Sequence, residues 1–214
     1  SWYRRQRQMC IRDSYNSALG YYALGANTTG VNNNAFGRGA LITNTTANNL
    51  NAFGDYALQA NTTGTESSAF GHRALYSTTT GGYNNAFGAF ALYANTTGAA
   101  NCAFGAYALN TVTTASNNTA MGSEALRNNT TGANNTAVGA NALDSNTEGT
   151  NTVAIGYGAL TAQNTGGTNT GVGYNALAAC TVGYYSAAFG AYAGDNMTTG
   201  HSNTYICDLS LIHI

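Results

Sequence analysis

Asn84-Asn85-Ala86-Phe87-Gly88-Ala89-Phe90-Ala91-Leu92-Tyr93-Ala94-Asn95-Thr96-Thr97-Gly98 is the clearest copy of a pattern that returns every 17 residues. Its glycine, Gly88, belongs to a gapless series of eleven: Gly20, Gly37, Gly54, Gly71, Gly88, Gly105, Gly122, Gly139, Gly156, Gly173 and Gly190. Self-similarity at a short fixed period marks a solenoid or stacked array. The absence of insertions fits a stack of backbone ladders, in which one extra residue per rung would shift every pairing above it. We number the coils 1 to 11 by these glycines and count positions from the glycine of each coil.

Comparing the copies gives each position a physical reading. Position −1 is always large and apolar (Leu19, Phe36, Phe53, Phe70, Phe87, Phe104, Met121, Val138, Ile155, Val172, Phe189), and is expected to form a core row. Position −2 is Ala, or Gly171 once, so it has no room for more. Position +3 is Ala throughout and +4 is Leu except at Gly194, a second core row. Position +7 is mostly Asn (Asn27, Asn44, Asn61, Asn95, Asn129, Asn146) yet accepts Val112, Cys180 and Met197. It is therefore expected to be buried, its amides hydrogen-bonding from rung to rung. Two threonines and a small residue, Gly or Ala, usually follow.

Residues before the glycine, such as Thr152-Val153-Ala154-Ile155, fit one short strand. Those after it, such as Ser123-Glu124-Ala125-Leu126-Arg127-Asn128, are rich in helix formers and poor in β-branched residues. The expectation is a repeat solenoid of α/β type, each coil one short parallel strand and one short helical segment ended by Thr-Thr-Gly. The alternative is an all-β roll, a left-handed parallel β-roll, in which the Ala-Leu segment is a second strand.

The chain has 214 residues, no Pro, no Lys, 7% charged residues and a net charge of −1. That argues against a nucleic-acid binder, which needs a basic face, and against a polybasic membrane anchor. No apolar run approaches the roughly 20 residues of a membrane span, so no membrane insertion is expected.

The two ends match nothing in the repeats and resemble translated sequencing adapter. Met9 to Ser14 back-translates to ATGTGTATAAGAGACAG, and the segment from Leu209 back-translates to its reverse complement, CTGTCTCTTATACACAT. Residues 1–14 and 208–214 are accordingly expected to be adapter-derived tails, and 16–206 a single solenoid of eleven repeats from a longer chain.

The unit Ala154-Ile155-Gly156-Tyr157-Gly158-Ala159, like Ala137-Val138-Gly139-Ala140-Asn141-Ala142, resembles the head repeats of YadA-like trimeric autotransporter adhesins. The longer coil with its Asn-Thr-Thr-Gly ending is similar to repeat shafts of phage tail fibres and bacterial surface proteins. The resemblance implies a structural or adhesive shaft or head segment of an extracellular fibre, at a cell surface or on a virion. It also implies a homotrimer and a host-surface glycan or protein receptor, and carries over no catalytic residue.

The residues themselves offer little chemistry, and no enzyme, cofactor or metal is expected. Gly171-Val172-Gly173-Tyr174-Asn175-Ala176 has the spacing of a dinucleotide fingerprint, but its first glycine is the small position of the repeat. Asp144 and Asp195 share one position three coils apart, too far for a paired-carboxylate mechanism. Arg38, Asp55 and His72 share another in consecutive coils, a surface charge ladder. His201 stands alone. Cys102 and Cys180 fall in different positions more than four coils apart, too distant for a disulfide. Asn27-Thr28-Thr29 and Asn61-Thr62-Thr63 are nominal glycosylation sequons that the repeat explains without sugar. One further reading is an ice-binding solenoid, in which Thr28, Thr45, Thr62, Thr79, Thr96, Thr113 and Thr130 form a regular row.

Overall fold

A computed structural model describes residues 14–206. The tails expected at 1–14 and 208–214 lie outside these residues apart from Ser14. Twelve three-residue strands form one parallel sheet in sequence order: β1 Ser17–Leu19, β2 Asn34–Phe36, β3 Asn51–Phe53, β4 Ser68–Phe70, β5 Asn85–Phe87, β6 Cys102–Phe104, β7 Thr119–Met121, β8 Thr136–Val138, β9 Val153–Ile155, β10 Thr170–Val172, β11 Ala187–Phe189 and β12 Thr204–Ile206. Every pairing joins residues 17 apart, as Ala86 with Ala103, so the sequence period is the register.

The expected helix does not form; there is none among the described residues, and the chain is a β-solenoid. In a helix the Leu58 N–H would bond the carbonyl four residues back. Instead the Ala57 N–H takes the Gly54 carbonyl at 3.3 Å, while the Leu58 N–H turns to Ala74 of the next coil at 3.0 Å. The Tyr56 N–H points the other way, to Arg38 of the preceding coil at 2.8 Å. Reversing direction this way requires left-handed backbone at positions +2, +4 and −5, as at Tyr56 (φ 57°), Leu58 (φ 50°) and Glu66 (φ 55°). A left-handed non-glycine residue costs roughly 1–2 kcal/mol. The cost is met because every coil gains bonds to both neighbours, and this contact outweighs the helix propensity of the Ala-Leu segment.

The anchor glycine answers two demands. Gly71 has φ +137°, and a Cβ there would lie 2.6 Å from the Gly88 carbonyl oxygen above it. Position +10 is small for the same reason, lying under the next coil's backbone: a Cβ at Gly64 would lie 2.5 Å from the Gly81 oxygen.

The core is narrower than the sequence suggests. Ala at −2 and +3 and Leu at +4 are buried, from Ala35, Ala40 and Leu41 to Ala176 and Leu177. The −1 row, expected in the core, faces outward: Phe104 is 38% exposed, Met121 46% and Phe189 47%. Strand side chains alternate, and with Ala at −2 turned inward the residues on both sides of it must turn out.

Asparagines complete the interior. Those at +7 from Asn44 to Asn146 are buried, as expected, and Asn27 in the first coil is half-buried; their main acceptor is the carbonyl three residues on, as Asn129 Nδ2 to Gly132 at 2.8 Å. Amide-to-amide bonds between coils join Asn44 to Asn27 (3.1 Å), Asn61 to Asn44 (3.5 Å) and Asn146 to Asn129 (2.9 Å). A second row at −4 runs beside it. Asn118 Nδ2 donates to the Gly132 carbonyl at 2.9 Å, and its Oδ1 accepts the Asn135 backbone N–H at 2.9 Å.

Circular dichroism of the chain is expected to show a β spectrum without helical minima. Asn118→Ala strands the buried Asn135 N–H and should cost about 1–3 kcal/mol, whereas Leu109→Ala, emptying a core position, should cost about 2–5 kcal/mol in chemical denaturation.

Candidate functional site

The exterior is built of axial rows, because identical positions of successive coils lie one rung, about 4.8 Å, apart. On the strand face, positions −3 and −1 both point outward, and in all twelve strands neither carries a charge. The phenyl rings of Phe36, Phe53, Phe70, Phe87 and Phe104 stack with centroids 4.5–4.7 Å apart and planes within 7°. Ring faces are used up against one another, so the stack presents its edges outward. The small interplanar angles also show that the coils twist little over this stretch.

A second face, at positions +1, +2 and +5, holds the arginines of the repeats and much of their aromatic surface. Arg38 pairs with Asp55 through two bonds of 2.7 and 3.1 Å, and its guanidinium lies 4.8 Å from the Tyr56 ring centroid. That hydrogen bond, with the Asp55 charge behind it, holds the Arg38 pKa above its usual value. His72 meets Phe90 edge-on at 5.0 Å, and Arg73 lies 5.5 Å from the Tyr76 centroid. Phe90 stacks on Tyr107 at 5.2 Å, and Tyr76 on Tyr93 at 5.1 Å. Farther along, Arg127 pairs with Glu124 at 2.9 Å. Burial pushes the neighbouring Asp144 carboxyl up, Arg127 pulls it back and Glu124 adds to the rise.

The remaining sequence candidates are dispersed. Of the expected charge ladder, Arg38 and Asp55 meet as an ion pair, while His72 packs on Phe90. Gly171 lies buried inside β10, where a Cβ would press on Leu160 at 3.2 Å, a strand site and no phosphate loop. Cys102 lies on the outward strand face and Cys180 in the buried +7 row, both as free thiols raised in pKa by burial. His201 stacks on Tyr184 at 5.5 Å. Among the described residues no three His, Cys, Asp or Glu side chains group to hold a metal. No helix among them is long and apolar enough to cross a membrane. In the +8 threonine row, hydroxyls donate to carbonyls of the next coil, as Thr28 to Thr45 (2.9 Å) and Thr130 to Thr147 (3.0 Å).

Sequence reading placed the strand-face −1 row in the core and found only the +1 charge ladder of the second face. The signal for the second was present, since +1, +2 and +5 accept Tyr, Arg, Asp, Glu, Ala and Gly by turns while the interior positions hardly change. Compared with protein-family models, curated proteins and solved structures, the chain matches none.

The raised Asp144 pKa has a definite sign. The folded state holds this proton more tightly than the unfolded chain, so the group's contribution to stability falls as pH rises through the folded pKa. Asp144→Asn should abolish that loss, leaving a variant at least as stable as the parent at neutral pH, with the advantage shrinking in thermal melts at acidic pH.

Proposed function

We propose that the chain is a structural and adhesive shaft segment of an extracellular fibre, on a cell surface or a virion, and that it performs no catalysis. The observation that carries this reading is the strand face: an uncharged, half-exposed apolar row running through the described solenoid on a backbone that repeats rung by rung. Long exposed apolar patches mark interaction sites. A row with a fixed axial repeat is best covered by another surface of the same repeat, such as further copies of the chain, so we read the strand face as the inner face of a homotrimer. The outward-facing remainder then displays many equivalent positions to a receptor, glycan or protein, where avidity can stand in for affinity. The ice-binding alternative draws less support, since the +8 threonine hydroxyls are engaged in the ladder.

Light scattering tests the association. The full chain is expected to run as a trimer, and the variant carrying Phe104→Asp with Met121→Asp, both exposed outward on the strand face, should dissociate it while keeping the β spectrum. A parent chain that is monomeric, or a trimer indifferent to these substitutions, would overturn the reading.

A further inference from the structure

We infer that the aromatic face is a second, homophilic contact, in which two chains pack face to face and antiparallel about a two-fold axis level with the coil of Gly105. The contact is independent of the strand face and joins chains, or whole fibres, side by side.

Charge distribution on the face carries the inference. Among the described residues two ion pairs are present, Arg38–Asp55 and Arg127–Glu124. On this face that leaves Arg73 in coil 4, Asp144 in coil 8 and Asp195 in coil 11 outside those pairs, Asp144 with one carboxylate oxygen buried and in the field of Arg127, so its early coils are net positive and its late coils net negative. Coils 4 and 8 are each two coils from coil 6. A two-fold axis at coil 6, lying in the contact plane across the solenoid, therefore brings Arg73 of each chain level with Asp144 of the other, twice over. Such an axis keeps each column facing the same column. The match holds sideways because the Arg73 guanidinium lies over Tyr76, at position +5, which is the column of Asp144.

The same axis places no like charges opposite one another on this face. Tyr93 comes level with Arg127 and Arg38 with Tyr174, both arrangements of a cation against a ring. Bulky Tyr56 meets Gly158 at the same position, and Tyr107, 41% exposed, meets its own copy at the axis. A parallel arrangement in register would instead oppose Arg73 to Arg73. The face spans ten rungs from coil 1 to coil 11, about 48 Å, and is about 10 Å wide, giving roughly 500 Å² per chain. Two such faces bury about 1,000 Å², the lower bound for a specific interface, so the association is reversible.

Charge reversal tests it, read by sedimentation velocity in the full chain carrying Phe104→Asp and Met121→Asp, so that strand-face association does not mask the result. Dimers are expected, weakened about tenfold by Arg73→Asp or by Asp144→Arg alone, and restored when the two substitutions are combined. Raised salt should weaken the dimer of the chain carrying Phe104→Asp and Met121→Asp alone. Circular dichroism confirms that each variant folds, and Arg73→Gln serves if Arg73→Asp does not. Absence of dimer at the highest soluble concentration, or a combined variant no better than either single one, overturns the contact. Neither result bears on the strand-face reading, which stands or falls on the parent trimer.

Discussion

Backbone hydrogen bonds between coils are the constraint on which the rest depends. A coil of 17 residues is too short to satisfy its own peptide groups around a core of Ala and Leu, so most of them reach to the coils above and below. That requirement sets the left-handed residues, the anchor glycines and the small position +10. It also excludes the helix, whose bonds would close within the coil and leave its neighbours unpaired. The asparagine rows obey the same rule, closing turns within a coil while binding the peptide N–H of the next.

Stacking also dictates the surface. Anything outside one coil is repeated at the next rung, so side chains meet their counterparts before they meet solvent. Aromatic rings respond by stacking and showing their edges, as from Phe36 to Phe104. Where the sequence varies, at +1, +2 and +5, neighbouring coils instead pair opposite charges or lay a guanidinium on a ring. The constant positions build the rod, and the variable ones give each part of it a different chemistry.

Much of this was legible from one chain. Period, register, coil count, the small positions and the buried Asn row followed from comparing the eleven copies. Two readings failed for physical reasons. Ala-Leu-rich segments have helical propensity, but propensity is a sum of tenths of a kcal/mol per residue and yields to a ladder that repeats at every coil. Phe, Met, Val and Ile at −1 read as core because such residues are usually buried, yet an inward Ala at −2 forces its neighbour out. Alternation outranks hydrophobicity in a strand of three residues. The aromatic face was only half legible: the variability of +1, +2 and +5 shows in the sequence, but their columns become neighbours only when the left-handed turns bring them together.

The direction of the ladder bonds has a mechanical consequence. They run along the solenoid axis, so axial tension passes through every rung in series, and the end coils, bonded on one side only, open first. Each coil set free lengthens the chain by about 50 Å, the extended reach of 17 residues less one rung. A rod built this way yields under load by paying out chain coil by coil from its ends, and it shortens again as coils re-stack on the surviving end.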